Sequence, residues 1–197
     1  MKKTDRRVKR TCELLQKALM GLIRARNYDA ITVQDIVDRA NIGRTTFYSH
    51  YDCKDDLFID CHETMADRFQ FGPNYPHSKE ELLSAEPPTE MVAAYRHLED
   101  IRSLLRPILQ GNDGLLLRRI RDLKAQTIHA NLRAAFAEID SNIPITVLAD
   151  YLAGAQTALM QRGMEKPQRY APEILAQTHH RLQRAAIRDA FGLRDFE

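Results

Sequence analysis

The sequence predicts an all-α protein: an N-terminal three-helix helix-turn-helix domain followed by a larger helical body. Three observations predict it. Apolar residues recur at spacings of three and four along nearly the whole chain, while β-type alternation is absent. Gly and Pro, eight of each in 197 residues, are scarce and gather at a few breaks. The stretch ITVQDIVDRANIGRTTFYSHYDCKDDL, from Ile31 to Leu57, holds a helix cap, two short helical patterns and a tight turn between them. Apolar content of 44% is enough for a real core.

A first helix is expected from about Asp5 to Arg26, with Val8, Cys12, Leu15, Leu19, Leu22 and Ile23 on one apolar stripe. Arg6, Arg7 and Arg10 lie near its start. The second helix has a sharp beginning. Thr32 is a good N-cap, Asp35 at the third position makes a weak capping box, and Ile31 and Ile36 are placed as a hydrophobic staple. Val33, Ile36, Val37 and Ala40 give the buried face. Asn41 suits a left-handed turn, because Asn tolerates positive φ better than most residues. Ile42 is expected to plug the core, and Gly43 to open a third helix from Arg44 to about Ser49. Two short helices joined by a tight turn are a helix-turn-helix signature.

A fourth helix is expected from near Cys53, with Leu57, Phe58, Cys61, Met65 and Phe69 recurring along it. Cys53 is a poor cap, and Asp52 is expected to cap in its place. The segment FGPNYPHS reads as a loop and SAEPP as a second break. One helix is expected from Thr89 towards Leu109, bent by Pro107. QGNDG reads as a turn, followed by a helix over about Leu115–Ala137. After DSNIP, Pro144 suits a helix start, and the last two helices are expected over Ile145–Arg162 and Pro172–Phe191. The acid pairs Asp55–Asp56 and Glu80–Glu81 are placed for helix starts.

Charge divides the chain. The net charge is +6 through Lys54 and −4 beyond it, so the basic head is expected to meet a polyanion. The third helix is too short to hold itself up and must be held by its neighbours. Such a helix serves to project its polar face, and in helix-turn-helix proteins that face enters the DNA major groove. Arg44, Thr45 and Thr46 stand at the end that meets base edges, with Gly43 before them. Tyr48, His50 and Lys54 follow as phosphate partners, and Phe47 is expected in the core.

The same stretch resembles the DNA-binding segment of the TetR/AcrR family of bacterial repressors. That family's pattern runs roughly I-T-hydrophobic-x-x-I-A-x-x-A-G-V-S-x-G-T-L/F-Y-x-H-F-x-x-K-x-x-L. Ile31, Thr32, Ile36, Ala40, Thr46, Phe47, Tyr48, His50, Lys54 and Leu57 match it, and Ile42 and Tyr51 are conservative replacements. The start DRRVKRT resembles that of a subgroup opening with D-R-R-V-x-K/R-T. Asn41, Gly43 and Thr45 depart from the usual Gly, Ser and Gly, which shifts base reading towards Arg44 and Thr45. The resemblance implies a DNA-binding domain over residues 1–52, in which Thr32 both caps its helix and touches phosphate. It implies an effector-binding and dimerisation domain over 53–197. It further implies a homodimeric repressor on a palindromic double-stranded operator, released by a small molecule.

In the body, Val147, Leu148, Tyr151, Leu152, Ala155 and Leu159 form one apolar side, with Ala149, Ala153, Gly154 and Ala158 allowing close helix approach. Leu175, Thr178, Leu182, Ala185 and Ala186 mark the last helix, and two such helices from each chain make a four-helix contact. Met65, Phe69, Tyr95, His97, Leu104, Ile108, Phe136, Gln156 and Met160 are the candidate pocket residues. His62, His129 and the pair His179–His180 read as structural or solvated. No GxSxG, HExxH, P-loop or GxGxxG motif occurs, so an enzyme is not expected. Cys12, Cys53 and Cys61 match no zinc spacing or disulfide framework, and neither metal nor cofactor is expected. No apolar run reaches the length of a membrane helix, and the basic start lacks a signal core, so a cytoplasmic protein is expected. Control by a protein partner, or by oxidation of Cys53 at the start of the fourth helix, is the alternative to a small ligand.

Overall fold

The structure is a computed structural model, and it describes residues 3–69, 77–110, 114–165 and 170–193. The described residues hold ten α-helices and no strand. Most of the FGPNYPHS and QGNDG segments lies outside the described residues.

The chain gathers into two compact units, Met1–Met65 with Ser103–Leu116, and Ala66–Arg102 with Leu117–Glu197. The first holds helices α1 (Lys3–Ile23), α2 (Val33–Ala40), α3 (Arg44–Tyr48), most of α4 (Lys54–Arg68) and α7 (Arg102–Gln110). Its core is Leu15, Leu19, Ile31, Ile36, Phe47 and Leu57, each no more than 2% exposed. The apolar stripe of α1 enters this core only from its second half. Val8, expected on the stripe, is 41% exposed. A 3₁₀ turn at Tyr28–Ala30 carries the chain from α1 to α2, and buries Tyr28 edge-on against Phe58.

The second unit holds α5 (Lys79–Leu83), α6 (Thr89–Asp100), most of α8 (Leu115–Ala135), α9 (Ile145–Glu165) and α10 (Pro172–Ala190). Helix α10 packs on both α6 and α9. Leu132, Phe136, Leu148, Leu152 and Ile187 form one buried cluster, in which Phe136 stacks on Phe191 with ring centres 4.2 Å apart. Met91, Tyr95, Leu175 and Ala176 form another.

Two elements differ from the sequence reading. The Glu80–Glu81 pair marks a helix start to which the sequence assigns no range; the structure gives the short α5 there, with Ser78 and Glu81 closing a full capping box. The single helix expected over 89–109 is two, divided at Ile101 instead of bent at Pro107. Pro107 lies inside α7, which runs on past it to Gln110.

Candidate nucleic-acid interface

The turn between α2 and α3 is built as its residues dictate. The Thr32 hydroxyl accepts the Asp35 N–H at 3.2 Å, and the Asp35 carboxylate accepts the Thr32 N–H at 2.8 Å and the Thr32 hydroxyl at 2.7 Å. Those bonds, then Arg26 at 2.9 Å, hold the Asp35 carboxyl down at about 2. At the other end Asn41 adopts φ 54 and ψ 48, the left-handed conformation that lets its N–H reach back to Asp38 and Val37. Ile42 follows half-buried, its N–H bonded to the Val37 carbonyl at 3.0 Å.

Helix α3 then presents one buried residue and four exposed ones. Phe47 is fully buried, while Arg44, Thr45, Thr46 and Tyr48 face outward. Gly43 caps α3 without a side-chain hydrogen bond. A Cβ there would come no closer than 4.0 Å to the Thr46 hydroxyl, so glycine is not forced by packing. The Arg44 guanidinium lies 5.9 Å from the centre of the Tyr48 ring, and makes no ion pair with a described residue. His50 is half-buried, its ring beside Tyr51.

Two expected site residues are engaged elsewhere. The Lys54 ammonium donates to the carbonyls of Tyr28 (2.8 Å), Ile31 (2.9 Å) and Asp29 (3.3 Å). It also sits 4.5 Å from the Tyr28 ring centre. An ammonium has three donors, and all three point into the 3₁₀ turn and the approach to α2. Lys54 is therefore placed as a clamp between the start of α4 and the turn that leads into α2. The Thr32 hydroxyl is likewise engaged on both its donor and acceptor sides by Asp35.

Two tyrosines complete the seat of the head. Tyr28 donates its hydroxyl to Asp55 at 2.5 Å, and Tyr51 donates to Asp60. Asp60 also accepts the Gln16 amide from α1 at 2.9 Å. Burial first, and these carboxylates second, push both phenols well above their ordinary range. The Tyr51 hydroxyl ties the end of the reading segment to α4. The Cys12 thiol also meets it. Asp56, not Asp52, caps the start of α4, accepting the N–H groups of Asp52 and Cys53 at 3.1 Å each. Cys53 is free and exposed.

The candidate pocket residues are not all brought together. Tyr95 and Met160 line one pocket of the second unit with Leu98, Leu159, Met164 and Leu175. Phe136 is core, and Phe69 stacks on His97 with centres 5.2 Å apart. Gln156 is half-buried on α9. Met65, Leu104 and Ile108 belong to the other unit. Of the two readings of the His179–His180 pair, structural or solvated, the structural one holds: they are only 5% and 2% exposed and bond Tyr95 and Ser84. A pair of histidines on a helical stripe with Leu175 and Ala176 was the available signal.

Residues 15–61 match the model of the bacterial regulatory proteins, tetR family. The HTH-type transcriptional regulator YxbF of Bacillus subtilis (strain 168), itself uncharacterised, is 44% identical over 68 residues, which is 34% of this chain and 17% of that protein. The whole fold is similar to a TetR transcriptional regulator from Streptococcus agalactiae 2603V (TM-score 0.53, 26% identity, 91% of this chain and 97% of that one). It is also similar to Thermus thermophilus FadR, a TetR-family repressor in complex with lauroyl-CoA (TM-score 0.58, 17% identity, 87% and 92%). The dihydroxyacetone kinase operon activator DhaS shares the fold too (TM-score 0.57, 18% identity, 90% and 96%). No described helix is long and apolar enough to cross a membrane. The capped turn, the outward face of α3 and the matched model together make residues 15–61 a helix-turn-helix domain of the tetR type, and the described chain shares the fold of TetR-family regulators.

Proposed function

We propose that the protein is a homodimeric repressor that binds a palindromic operator through α3 and is released by a small-molecule effector. The observation that carries the reading is the exposed face of α3: Arg44, in no ion pair with a described residue, next to the hydroxyls of Thr45, Thr46 and Tyr48. An arginine on such a tip can hydrogen-bond the guanine edge with two donors, and the hydroxyls can meet bases or phosphates. Arg44 and Thr45 read bases, while Thr46, Tyr48 and His50 fix the register. Thr32 and Lys54 act behind them, holding α2 and the 3₁₀ turn in place. In this reading residues 1–52 remain the DNA-binding domain, and 53–197 the effector and dimer domain.

Dimerisation is supported by apolar surface on the last two helices. Val147 and Tyr151 are 58% and 62% exposed one turn apart on α9, and Leu182 is 55% exposed on α10. Helices α9 and α10 pack on each other, so a second copy would complete a four-helix contact. The contact differs from that expected. Ala149 and Ala153 are 2% and 0% exposed within the single chain, as are Leu148 and Leu152 at 2% and 3%. Ala149 and Ala153 are therefore protomer core, Gly154 is half-buried and Ala158 exposed, and Val147, Tyr151 and Leu182 carry the dimer face. Effector control is supported by a neighbour of the same fold, a repressor bound to lauroyl-CoA. Purified protein incubated with fragments of the DNA upstream of its own gene tests the reading. Salt-sensitive protection of a palindrome supports it, and binding without sequence preference overturns it.

A further inference from the structure

We propose that Tyr48 determines operator specificity by holding Arg44: its ring is a shelf for the guanidinium that leaves every donor free for a base edge. This rests on the reading that Arg44 reads a base, and adds the residue that positions it. Arg44 and Tyr48 open and close α3, four residues apart, and so share one face one turn apart. The guanidinium carbon lies over the Tyr48 ring, 5.9 Å from its centre, within the reach of cation–π attraction. The ring is itself held from behind. Phe47, 0% exposed, meets it edge-on, with centres 5.4 Å apart and planes at 85°. Phe47 also tilts against Tyr51, with centres 5.7 Å apart, and Tyr51 donates its hydroxyl to Asp60 of α4. The shelf is thus built out from the core of the head, although Tyr48 itself is 47% exposed.

Holding an arginine in this way leaves its fork unspent. Neither the Arg44 guanidinium nor the Tyr48 hydroxyl makes a hydrogen bond or ion pair with a described residue. A carboxylate partner would tie up N–H donors of the guanidinium, and that pair would have to break on DNA. Attraction to a ring face consumes no donor, so the two that guanine O6 and N7 require remain available. A long exposed side chain loses rotamer freedom when it binds, and a ring that already restrains it lowers that cost. The other outward residues between them, Thr45 and Thr46, carry no ring. The two parts of Tyr48 therefore have separate tasks: the ring serves base choice through Arg44, and the hydroxyl is left for phosphate.

The test selects duplexes bound by the full-length protein from random double-stranded DNA. It then compares the selected duplex with the same duplex changed at the base pair that Arg44→Ala relaxes. Discrimination, the ratio of the two affinities, is unmoved by a uniform loss of folded protein or of a phosphate contact. Tyr48→Leu should lower discrimination by about two- to fivefold for each half-site changed. Tyr48→Phe keeps the ring, and should keep the wild-type discrimination while binding both duplexes more weakly. With Arg44→Ala already in place, Tyr48→Leu should change discrimination no further. Wild-type discrimination in Tyr48→Leu, an equal loss in Tyr48→Phe, or the same loss from Tyr48→Leu with and without Arg44 would overturn the proposal alone. A selected-site profile unchanged by Arg44→Ala would overturn the reading of Arg44, and the proposal with it.

Discussion

Replacing Lys54 by Met separates a structural clamp from a phosphate contact. Methionine keeps an unbranched stem but removes three hydrogen bonds to the carbonyls of Tyr28, Ile31 and Asp29, and the contact with the Tyr28 ring. The first two are part-buried and short, and each is worth about 1–1.5 kcal/mol after discounting a charged-donor bond for partial exposure. The third is longer and exposed and adds little. The cation–π contact adds about 0.5–1 kcal/mol. The variant should therefore lose roughly 2–4 kcal/mol, or about 4–16 °C in melting temperature for a chain of this size. Calorimetry measures the loss, and operator binding over a salt series measures the rest. A clamp predicts a large melting shift with little change in the salt slope of the remaining binding. A phosphate contact predicts an unchanged melt and a slope smaller by about 0.9. The second result would refute the placement of Lys54.

Arg44→Ala should leave the melt unchanged and relax base choice at one position of each half-site, costing roughly 1–3 kcal/mol there, as read by selection from random DNA. Tyr151→Arg should give folded monomers in sedimentation with operator affinity lost, whereas Ala153→Arg should unfold the protein, because Ala153 is fully buried in the single chain. Equal behaviour of the two would contradict the assigned dimer face. The pH dependence of stability has a worked sign. Lys124 titrates lower when folded, at about 8 against a usual 10.5, so its penalty is full below about 8 and vanishes as pH rises towards 10.5. Lys124→Met should thus stabilise the ligand-free protein by roughly 1–3 kcal/mol near neutral pH, and not in strong alkali. His179, at about 4 against 6.5, makes the unfolded chain bind a proton first, so stability should fall as the pH drops from about 6.5 towards 4. His179→Gln should flatten that decline in denaturant titrations.

Local chemistry was the legible part of the sequence. Thr32 with Asp35, and Asn41 at positive φ, act within four residues of themselves, and each stands as its residue type demands. The helices after residue 114 were legible within three residues at each end, because Pro144 and Pro172 mark their starts and apolar spacing fills them. What was hidden depends on distant partners. Lys54 reads as a free cation until the carbonyls of Tyr28 and Ile31 are folded beneath it. Ala153 and Tyr151 stand two residues apart on α9, and only packing shows that one faces the core and the other the surface. His179 and His180 have the polarity of surface residues, yet Tyr95 and Ser84 receive them in the interior. The division at Ile101 escaped because no Pro or Gly marks it, while Pro107, the more visible breaker, lies inside α7.

The central claim is that α3, led by Arg44, reads a two-fold symmetric DNA site. Hydroxyl-radical footprinting of the DNA upstream of the protein's own gene, with wild type and Arg44→Ala in parallel, tests it most directly. The account predicts two protected half-sites related by a dyad and spaced about 10 base pairs apart or a multiple of that. It predicts that Arg44→Ala loses the preference for that site while keeping weak, salt-sensitive binding elsewhere. Protection without a dyad, or an identical footprint and affinity from Arg44→Ala, would contradict it.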